Sequence, residues 1–234
     1  MSRKRMSDFE LLRKVQIFEE LDDNRLRLLG HLLNSMHVPR GERIFEKGDA
    51  GNAMFIVKSG EFHATIHEDG REAILATFKT GDFFGEMSLL DGQSRSASVH
   101  AAKRGCLLRL AREDFLAHLE AHPATALRIL AEMSLRLRKA SSIIGNLSLL
   151  DVFGRVARTI IDLAEQEGVS TDEGILVAKR PTQQELASMV GTTRETVSRV
   201  LSELNRRGLV TMSGRSITLS YGFTQSDLSD LRAK

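Results

Sequence analysis

The chain has 234 residues, of which 41% are hydrophobic and 27% charged, proportions typical of a folded globular protein and a length sufficient for two modest domains. Its single cysteine, Cys106, excludes an internal disulfide framework and argues against a cysteine-ligated iron–sulfur cluster or structural zinc site. The net charge is only +2, and no apolar run is long enough to span a bilayer. We therefore expect a cytoplasmic protein without a metal site or a membrane partner.

The first half of the chain changes from helical to β-type periodicity near Val38. Residues 7–36 carry apolar side chains at helical spacing, which predicts helix. After Val38, glycines divide short runs of β-forming residues, and the candidate strands are 43–45, 53–59, 61–68, 72–78, 97–101 and 106–111. Several short strands at this spacing predict a closed β sandwich or barrel.

The segment GDFFGEMSLLDGQSRSA lies between two candidate strands and has the residues of an anion site. Gly85 permits close backbone approach, and residues 86–90 can form one helical turn whose free amides face an anion. Arg95 offers a positive fork for a phosphate with the Ser96 hydroxyl beside it, whereas Glu86 is better suited to accept from a sugar hydroxyl. The alternative from the residues alone is a Glu86–Arg95 ion pair that ties down a loop.

Helical periodicity returns after the strands. A short helix is predicted over 113–121, and it ends where His122-Pro123 disfavours helix. A long helix is predicted over 124–146. Apolar side chains three or four residues apart follow the a/d pattern of a coiled coil along this helix and its end. They are Leu130, Met133, Leu137, Ala140, Ile144 and Leu147. The pattern favours a dimer seam, and the alternative is a helix packed on its own barrel.

The long helix is followed by a predicted boundary. Gly145-Asn146 loosens the helix end, and Asp151 can cap a further helix over 152–167. We therefore predict an α+β protein in three parts, which are an N-terminal helix and barrel in 1–122, a long helix and hinge in 123–150, and a C-terminal domain in 151–234.

The sequence PTQQELASMVGTTRETVSRVLSELNRRG, which starts at Pro181, predicts two short helices joined by a tight turn. Thr182 and Glu185 have the spacing of a capping box, Gly191 suits the turn, and Thr193 can cap the second helix. The outer face of that helix carries polar side chains, namely Arg194, Glu195, Ser198 and Arg199. In a helix-turn-helix these side chains enter the major groove, where arginine binds guanine and glutamate accepts from cytosine. The alternative is an ordinary helical hairpin with a solvated face. A short β wing is predicted over 209–219.

Three motifs together resemble the Crp/Fnr family of transcription regulators, and its cAMP-responsive branch most closely. The residues GEMSL from Gly85, followed by RSA from Arg95, resemble the phosphate-binding cassette of cyclic-nucleotide-binding domains. The residues LDVFGRVA from Leu150 and GTTRETVSRV from Gly191 resemble the family's hinge helix and helix-turn-helix. The similarity covers almost the whole chain in family order. It implies a jelly-roll-like β-roll with flanking helices, a long dimerisation helix and a C-terminal winged helix-turn-helix.

The resemblance implies a cyclic-nucleotide effector, with cAMP first, and no other cofactor. Glu86 would accept from the ribose 2′-hydroxyl with the Gly85 backbone beside it, and Arg95, Ser96 and the Ala97 amide would hold the cyclic phosphate. Met87 and Ser88 complete the cassette motif. A Thr-Ser pair on the family's long helix contacts adenine, and here the matching residues are Ala140 and Ser141. Because the hydroxyl expected at residue 140 is missing, cGMP, a cyclic dinucleotide and loss of ligand control remain open.

The resemblance also implies the DNA site and the partners. Arg194, Glu195 and Arg199 match the family's base-reading residues, which implies a palindromic operator with TGTGA-like half-sites. Thr182 and Gln184 match phosphate-contacting positions, and Arg215 at the wing tip can add a backbone contact. A homodimer and RNA polymerase are the implied protein partners. No nucleophile–base pair, metal-ligand spacing or P-loop supports an enzyme, and a constitutive DNA-binding repressor is the main alternative.

Overall fold

The computed structural model describes residues 8–68 and 71–223, without the side chains of Arg71 and residues 146–149. The chain divides into two compact units, residues 1–138 and 139–234, and the division falls inside the longest helix. In the described part of the chain, none of the helices is both long enough and apolar enough to cross a membrane.

The first unit begins with short helices rather than one long helical segment. Helix α1 spans Asp8–Leu12, a 3-10 turn spans Gln16–Phe18, and α2 spans Asp23–Leu32. The Asp22 side chain caps α2 by accepting a hydrogen bond from the Arg25 amide at 2.9 Å. The prediction of helix to residue 36 was wrong from Asn34 onwards. That segment is strand β1 because it pairs with a strand distant in sequence, a contact that helical spacing cannot reveal.

An antiparallel sheet forms the body of the first unit. Its strands are β1 Asn34–Val38, β2 Arg43–Phe45, β3 Ala53–Glu68, β4 Arg71–Phe78, β5 Phe83–Phe84 and β6 Ser98–Ala111. The order is β1-β6-β3-β4, with β2 also paired to β6 and β5 to β3. One apolar core is made from the strands and includes Phe62, Phe84 and Leu107. A second core packs the flanking helices on the sheet through residues such as Leu11, Met54 and Phe115.

Two pairs of predicted strands are single long strands, because two glycines mark a close approach of backbones and not a turn. Gly60 lies within β3 and Gly105 within β6. A Cβ atom built on Gly60 would lie 2.6 Å from the Gly105 Cα atom, which is too close for any side chain. Glycine inside a strand often marks a site where another backbone approaches closely. The predicted breaks at these two glycines were therefore wrong.

The next three helices along the chain match the predicted ones closely. Helix α3 is the single turn Met87–Leu90, α4 spans Arg112–Ala121 and α5 spans Pro123–Leu149. Helix α5 runs past Gly145, so this glycine does not end it. Ile129 on α5 is buried in the second core, and Met133 packs against that core while partly exposed.

The second unit is a helical domain with a small sheet. It contains α6 Val152–Glu167, β7 Val169–Thr171, β8 Gly174–Val177, α7 Gln183–Val190, α8 Arg194–Arg206, β9 Val210–Ser213 and β10 Ser216–Leu219. The predicted cap of α6 is confirmed, since the Asp151 side chain accepts from the Gly154 amide at 2.7 Å. The predicted wing is the β9–β10 hairpin. Strands β7 and β8 were not predicted from the sequence. They extend the sheet, whose strand order is β7-β8-β10-β9.

Candidate functional site

A turn between β5 and α3 positions the cassette predicted at residues 85–97. Gly85 has φ of +84°, and a Cβ atom there would lie 2.8 Å from Nη1 of Arg95. Glycine is therefore required both for the backbone angle and for the space. The turn places Glu86 at the N-cap position of α3, where its side chain is buried.

Arg95 is held in the wall of this site by three acceptors. Its Nη1 atom donates to the Gly85 carbonyl oxygen at 2.5 Å and to Ser88 Oγ at 2.8 Å. Its Nη2 atom donates to the Ala53 carbonyl oxygen at 2.6 Å. The side chain is buried, and burial lowers the pKa of Arg95, opposed by the charges of Glu86 and Asp49. An arginine remains protonated under such a shift, so the site keeps a fixed positive charge.

Glu86 is paired with an arginine that the sequence did not identify. Its Oε1 atom accepts from Arg136 Nη1 at 3.0 Å, and Arg136 Nη2 donates to the Phe83 carbonyl oxygen at 2.8 Å. Arg136 also contacts Glu132 on α5 at 3.1 Å. The ion pair considered as the alternative, Glu86 with Arg95, is therefore not the one that fixes this carboxylate. Arg136 lies among several arginines on α5, and no local pattern distinguishes it from them.

The second carboxylate oxygen of Glu86 is a buried acceptor without a hydrogen-bond donor. Burial raises the pKa of Glu86 above its ordinary value, and the nearby Arg136 charge partly opposes that shift. A buried acceptor of this kind is costly unless a donor reaches it. The site thus combines an acceptor at one end with a guanidinium at the other, which suits a ligand carrying a hydroxyl and an anionic group.

The remaining predicted nucleotide residues lie in different environments. Ser88 and Ala97 are buried, and Ser96 is exposed beside Arg95. Met87 is exposed on α3. The Ser88 hydroxyl bonds to Arg95, so it orients that side chain. Ser141 is exposed on α5 in the second unit, and its role remains a prediction.

The second unit carries the predicted helix-turn-helix. The capping box is confirmed, because Thr182 Oγ1 accepts from the Glu185 amide at 3.2 Å and Glu185 accepts from the Thr182 amide at 2.6 Å. Gly191 ends α7 in the left-handed conformation, with φ of +68°. Thr193 caps α8 by accepting from the Thr196 amide at 3.3 Å. The turn thereby fixes where α8 begins.

Helix α8 separates an inner and an outer face. Val197, Val200, Leu201 and Leu204 are buried. Arg194, Glu195 and Arg199 are exposed, Ser198 is half-exposed, and Gln184 is exposed on α7. Hydrogen bonds from the backbone of Glu195 and from Thr193, together with nearby arginines, lower the pKa of Glu195 and keep it an ionised acceptor. This face presents the donors and acceptors that base edges in a major groove require.

Arg180, which precedes α7, lies beside the predicted wing residue Arg215. Arg215 lies in the β9–β10 turn, where its Nη2 donates to the Arg180 carbonyl oxygen at 3.2 Å. Burial and the charge of Arg215 lower the pKa of Arg180. A Glu185 carboxylate oxygen lies 4.0 Å from Arg215 Nη2. The two arginines and this carboxylate together carry one net positive charge, which suits contact with DNA phosphates.

Helix α5 carries an exposed apolar stripe. Leu130, Leu137 and Ile144 from the predicted seam are 61%, 68% and 64% exposed, and Leu127 is 68% exposed. Ala140 is also exposed, whereas Met133 packs partly against its own unit. The side chain of Leu147 lies outside the described residues. Large apolar side chains at this exposure in one row are typical of a surface that another chain covers.

Comparisons with known proteins find a family match in each of the two units. Residues 35–122 match the cyclic nucleotide-binding domain, and residues 154–221 match the Crp-like helix-turn-helix domain. The cAMP-activated global transcriptional regulator CRP of Escherichia coli is 33% identical over 187 residues, which cover 79% of this chain and 88% of that protein. The cyclic AMP receptor protein of Thermus thermophilus is 40% identical over 173 residues, which cover 74% of this chain and 77% of that protein.

A solved structure extends the similarity. The c-di-GMP responsive global regulator CLP of Xanthomonas campestris aligns with a TM-score of 0.72 and 27% identity, covering 85% of this chain and 99% of that one. The fold and the two sites define a DNA-binding transcription regulator with a cyclic-nucleotide-binding domain, a class of regulators and not of enzymes. The chain belongs to the Crp/Fnr family of transcription regulators.

Proposed function

We propose that the protein is a homodimeric transcription regulator whose binding to a palindromic DNA operator is controlled by a cyclic nucleotide, with cAMP as the first candidate. The observation that carries this proposal is the pair of buried groups in the cassette. Glu86 offers an unpartnered carboxylate oxygen for a ribose hydroxyl, and Arg95 offers a positive charge for the cyclic phosphate. The relatives from Escherichia coli and Thermus thermophilus, which are named for cAMP, support cAMP as the effector.

The operator follows from the outer face of α8. Arg194, Glu195 and Arg199 are exposed there, and we propose that they read TGTGA-like half-sites in the major groove. Thr182, Gln184 and Arg215 would contact phosphates. Two recognition helices must lie about 34 Å apart, the docking geometry known for this family, to meet half-sites one DNA turn apart. RNA polymerase is the protein partner that we propose at the promoter.

A cyclic dinucleotide is the second candidate effector. Two observations favour it, namely the missing hydroxyl at Ala140 and the 27% identity to a regulator described as responsive to c-di-GMP. A ligand with a second base would depend less on a Thr-Ser pair. Ser141 would then contact a different part of the ligand.

Isothermal titration of the purified protein with cAMP, cGMP and c-di-GMP tests the effector. We expect micromolar or tighter binding of cAMP that is lost in Arg95→Ala. The matched control is Arg104→Ala, which removes an exposed arginine from β6 and should leave affinity unchanged. Binding of c-di-GMP alone would transfer the proposal to the second candidate. No binding by any of the three would contradict ligand control and favour a constitutive repressor.

A further inference from the structure

Phe45 in β2 lies directly against the guanidinium of Arg95. The Cζ atom of Arg95 is 4.1 Å from the centroid of the Phe45 ring. A cation over the face of an aromatic ring at this distance is attracted by the negative charge of the face, and more strongly where water is excluded. Arg95 is 4% exposed, so its contact with the ring is largely dry.

The ring is itself held in place by neighbouring aromatic side chains. The centroids of Phe55 and Phe84 each lie 6.0 Å from that of Phe45, and these two rings stack on each other at 5.4 Å. Phe84 also stacks on Phe78 at 5.0 Å. Because the core is built from these rings, Phe45 has little freedom to tilt and presents a fixed face to the guanidinium.

The hydrogen bonds and the ring restrain Arg95 in different directions. The acceptors at Gly85, Ser88 and Ala53 engage three of the five N–H groups. Bonds of this kind fix the edges of the planar group, whereas the ring fixes the plane by covering one face. The buried Nε–H has no acceptor. In a guanidinium group, the Nε–H and one Nη2–H point along the same edge. That edge is the fork with which arginine binds an anion through two hydrogen bonds.

We propose that Phe45 is a positioning residue for nucleotide binding, which holds the guanidinium plane of Arg95 so that its Nε–H edge faces the phosphate of the ligand. The inference rests on the proposed binding of a cyclic phosphate at Arg95. Phe45 does not contact the nucleotide in this arrangement, and its effect passes through Arg95.

Phe45→Leu keeps an apolar side chain but removes the ring face. The three hydrogen bonds still hold the edges of the Arg95 guanidinium, but its plane is no longer fixed by a ring and must be ordered when the nucleotide binds. Immobilising a side chain on binding weakens affinity by about threefold to tenfold. We expect the dissociation constant for cAMP, measured by isothermal titration, to rise by that factor. Phe45→Tyr retains the ring face and should bind cAMP as tightly as the parent protein. The control for packing is Phe62→Leu, which removes a buried ring whose centroid lies 6.0 Å from that of Phe84.

A double-mutant cycle separates positioning from packing. In an Arg95→Lys background there is no planar fork to orient, so Phe45→Leu should cause no further loss of affinity. An equal loss in both backgrounds would show that Phe45 acts through the packing of the sheet, and it would overturn the proposal. A loss in Phe62→Leu as large as in Phe45→Leu would overturn it as well.

A second measurement does not depend on any nucleotide. In the ligand-free protein, the ¹H–¹⁵N signal of the Arg95 Nε–H group, assigned by its loss in Arg95→Lys, should be shifted by the ring and protected from exchange. We expect both properties to be lost in Phe45→Leu and kept in Phe45→Tyr. An unchanged signal in Phe45→Leu would overturn the proposal. If the signal changes as expected but the parent protein binds none of the tested nucleotides, Phe45 still orients Arg95 and the proposed effector is what fails.

Discussion

Glu86 illustrates how a binding residue can weaken the fold that carries it. Its carboxyl is buried, and the pKa of Glu86 is raised mainly because burial disfavours the charge. The Arg136 contact at 3.0 Å offsets only part of this penalty, and one carboxylate oxygen has no donor. Selection for ligand binding commonly retains such groups at the expense of stability.

We predict that Glu86→Gln raises the thermal stability of the protein near neutral pH. The pKa in the folded state is above the unfolded value of 4.5, so the folded state binds the proton more tightly. Stability is therefore highest below the unfolded pKa and falls as the pH rises through the folded pKa. Glutamine removes the charge, so we expect a gain of a few degrees in Tm at about pH 8 and none at about pH 4, measured by calorimetry.

The control for that prediction is Glu132, a second carboxylate in contact with Arg136. Glu132 also contacts Arg136, at 3.1 Å, but its side chain is 25% exposed. Glu132→Gln removes a charge that is partly exposed and less buried than that of Glu86, so its Tm should match the parent or fall slightly. A lower Tm for Glu86→Gln at about pH 8 would show that the ion pair with Arg136 outweighs the burial penalty.

At the scale of elements, we propose that α8 recognises base edges and that the wing contacts the DNA backbone. Arg199 lies on the outer face of α8, and Arg215 lies at the tip of the β9–β10 hairpin. We predict that Arg199→Ala costs about 1–3 kcal/mol on the cognate operator and much less on random DNA, because it loses contacts to base edges. Arg215→Ala should weaken both complexes equally. It should also reduce the slope of log affinity against log salt concentration by about one.

Fluorescence anisotropy with a TGTGA palindrome and a scrambled duplex, each over a range of salt concentrations, measures both effects. The two variants serve as controls for each other, since each removes one exposed arginine from the same domain. If Arg199→Ala weakens the palindrome and the scrambled duplex by the same factor, Arg199 is a phosphate contact. The proposed base-reading role would then be lost.

The helix-turn-helix could be predicted at residue level because its signals are local. Thr182, Glu185 and Gly191 each act within a few residues of their own position, and all three have the predicted conformations. Strands β1 and β8 escaped prediction because their partners, β6 and β10, lie far away in the sequence and are brought to them by the tertiary fold. Arg136 was missed for the same reason, since its partner Glu86 lies 50 positions away.

At the scale of the whole molecule, we expect the exposed apolar row on α5 to determine the oligomeric state. A leucine as exposed as Leu137 loses little when it is left in water singly, but a row of such side chains gains about 25 cal/mol for each Å² that a second helix covers. A palindromic operator requires two recognition helices on one molecule, because linking them makes the second contact intramolecular. A substitution that prevents dimerisation should therefore also weaken binding to the palindromic operator.

We predict that Leu137→Glu converts a dimer into monomers, because pairing would bury two like charges in an apolar seam. Leu28→Glu is the matched control, since Leu28 on α2 is 67% exposed and Leu137 is 68% exposed. Sedimentation equilibrium should give the monomer mass for the first variant and the dimer mass for the second. The monomeric variant should bind a palindrome no better than a single half-site. A dimer mass for Leu137→Glu, or dissociation by Leu28→Glu, would move the interface away from α5.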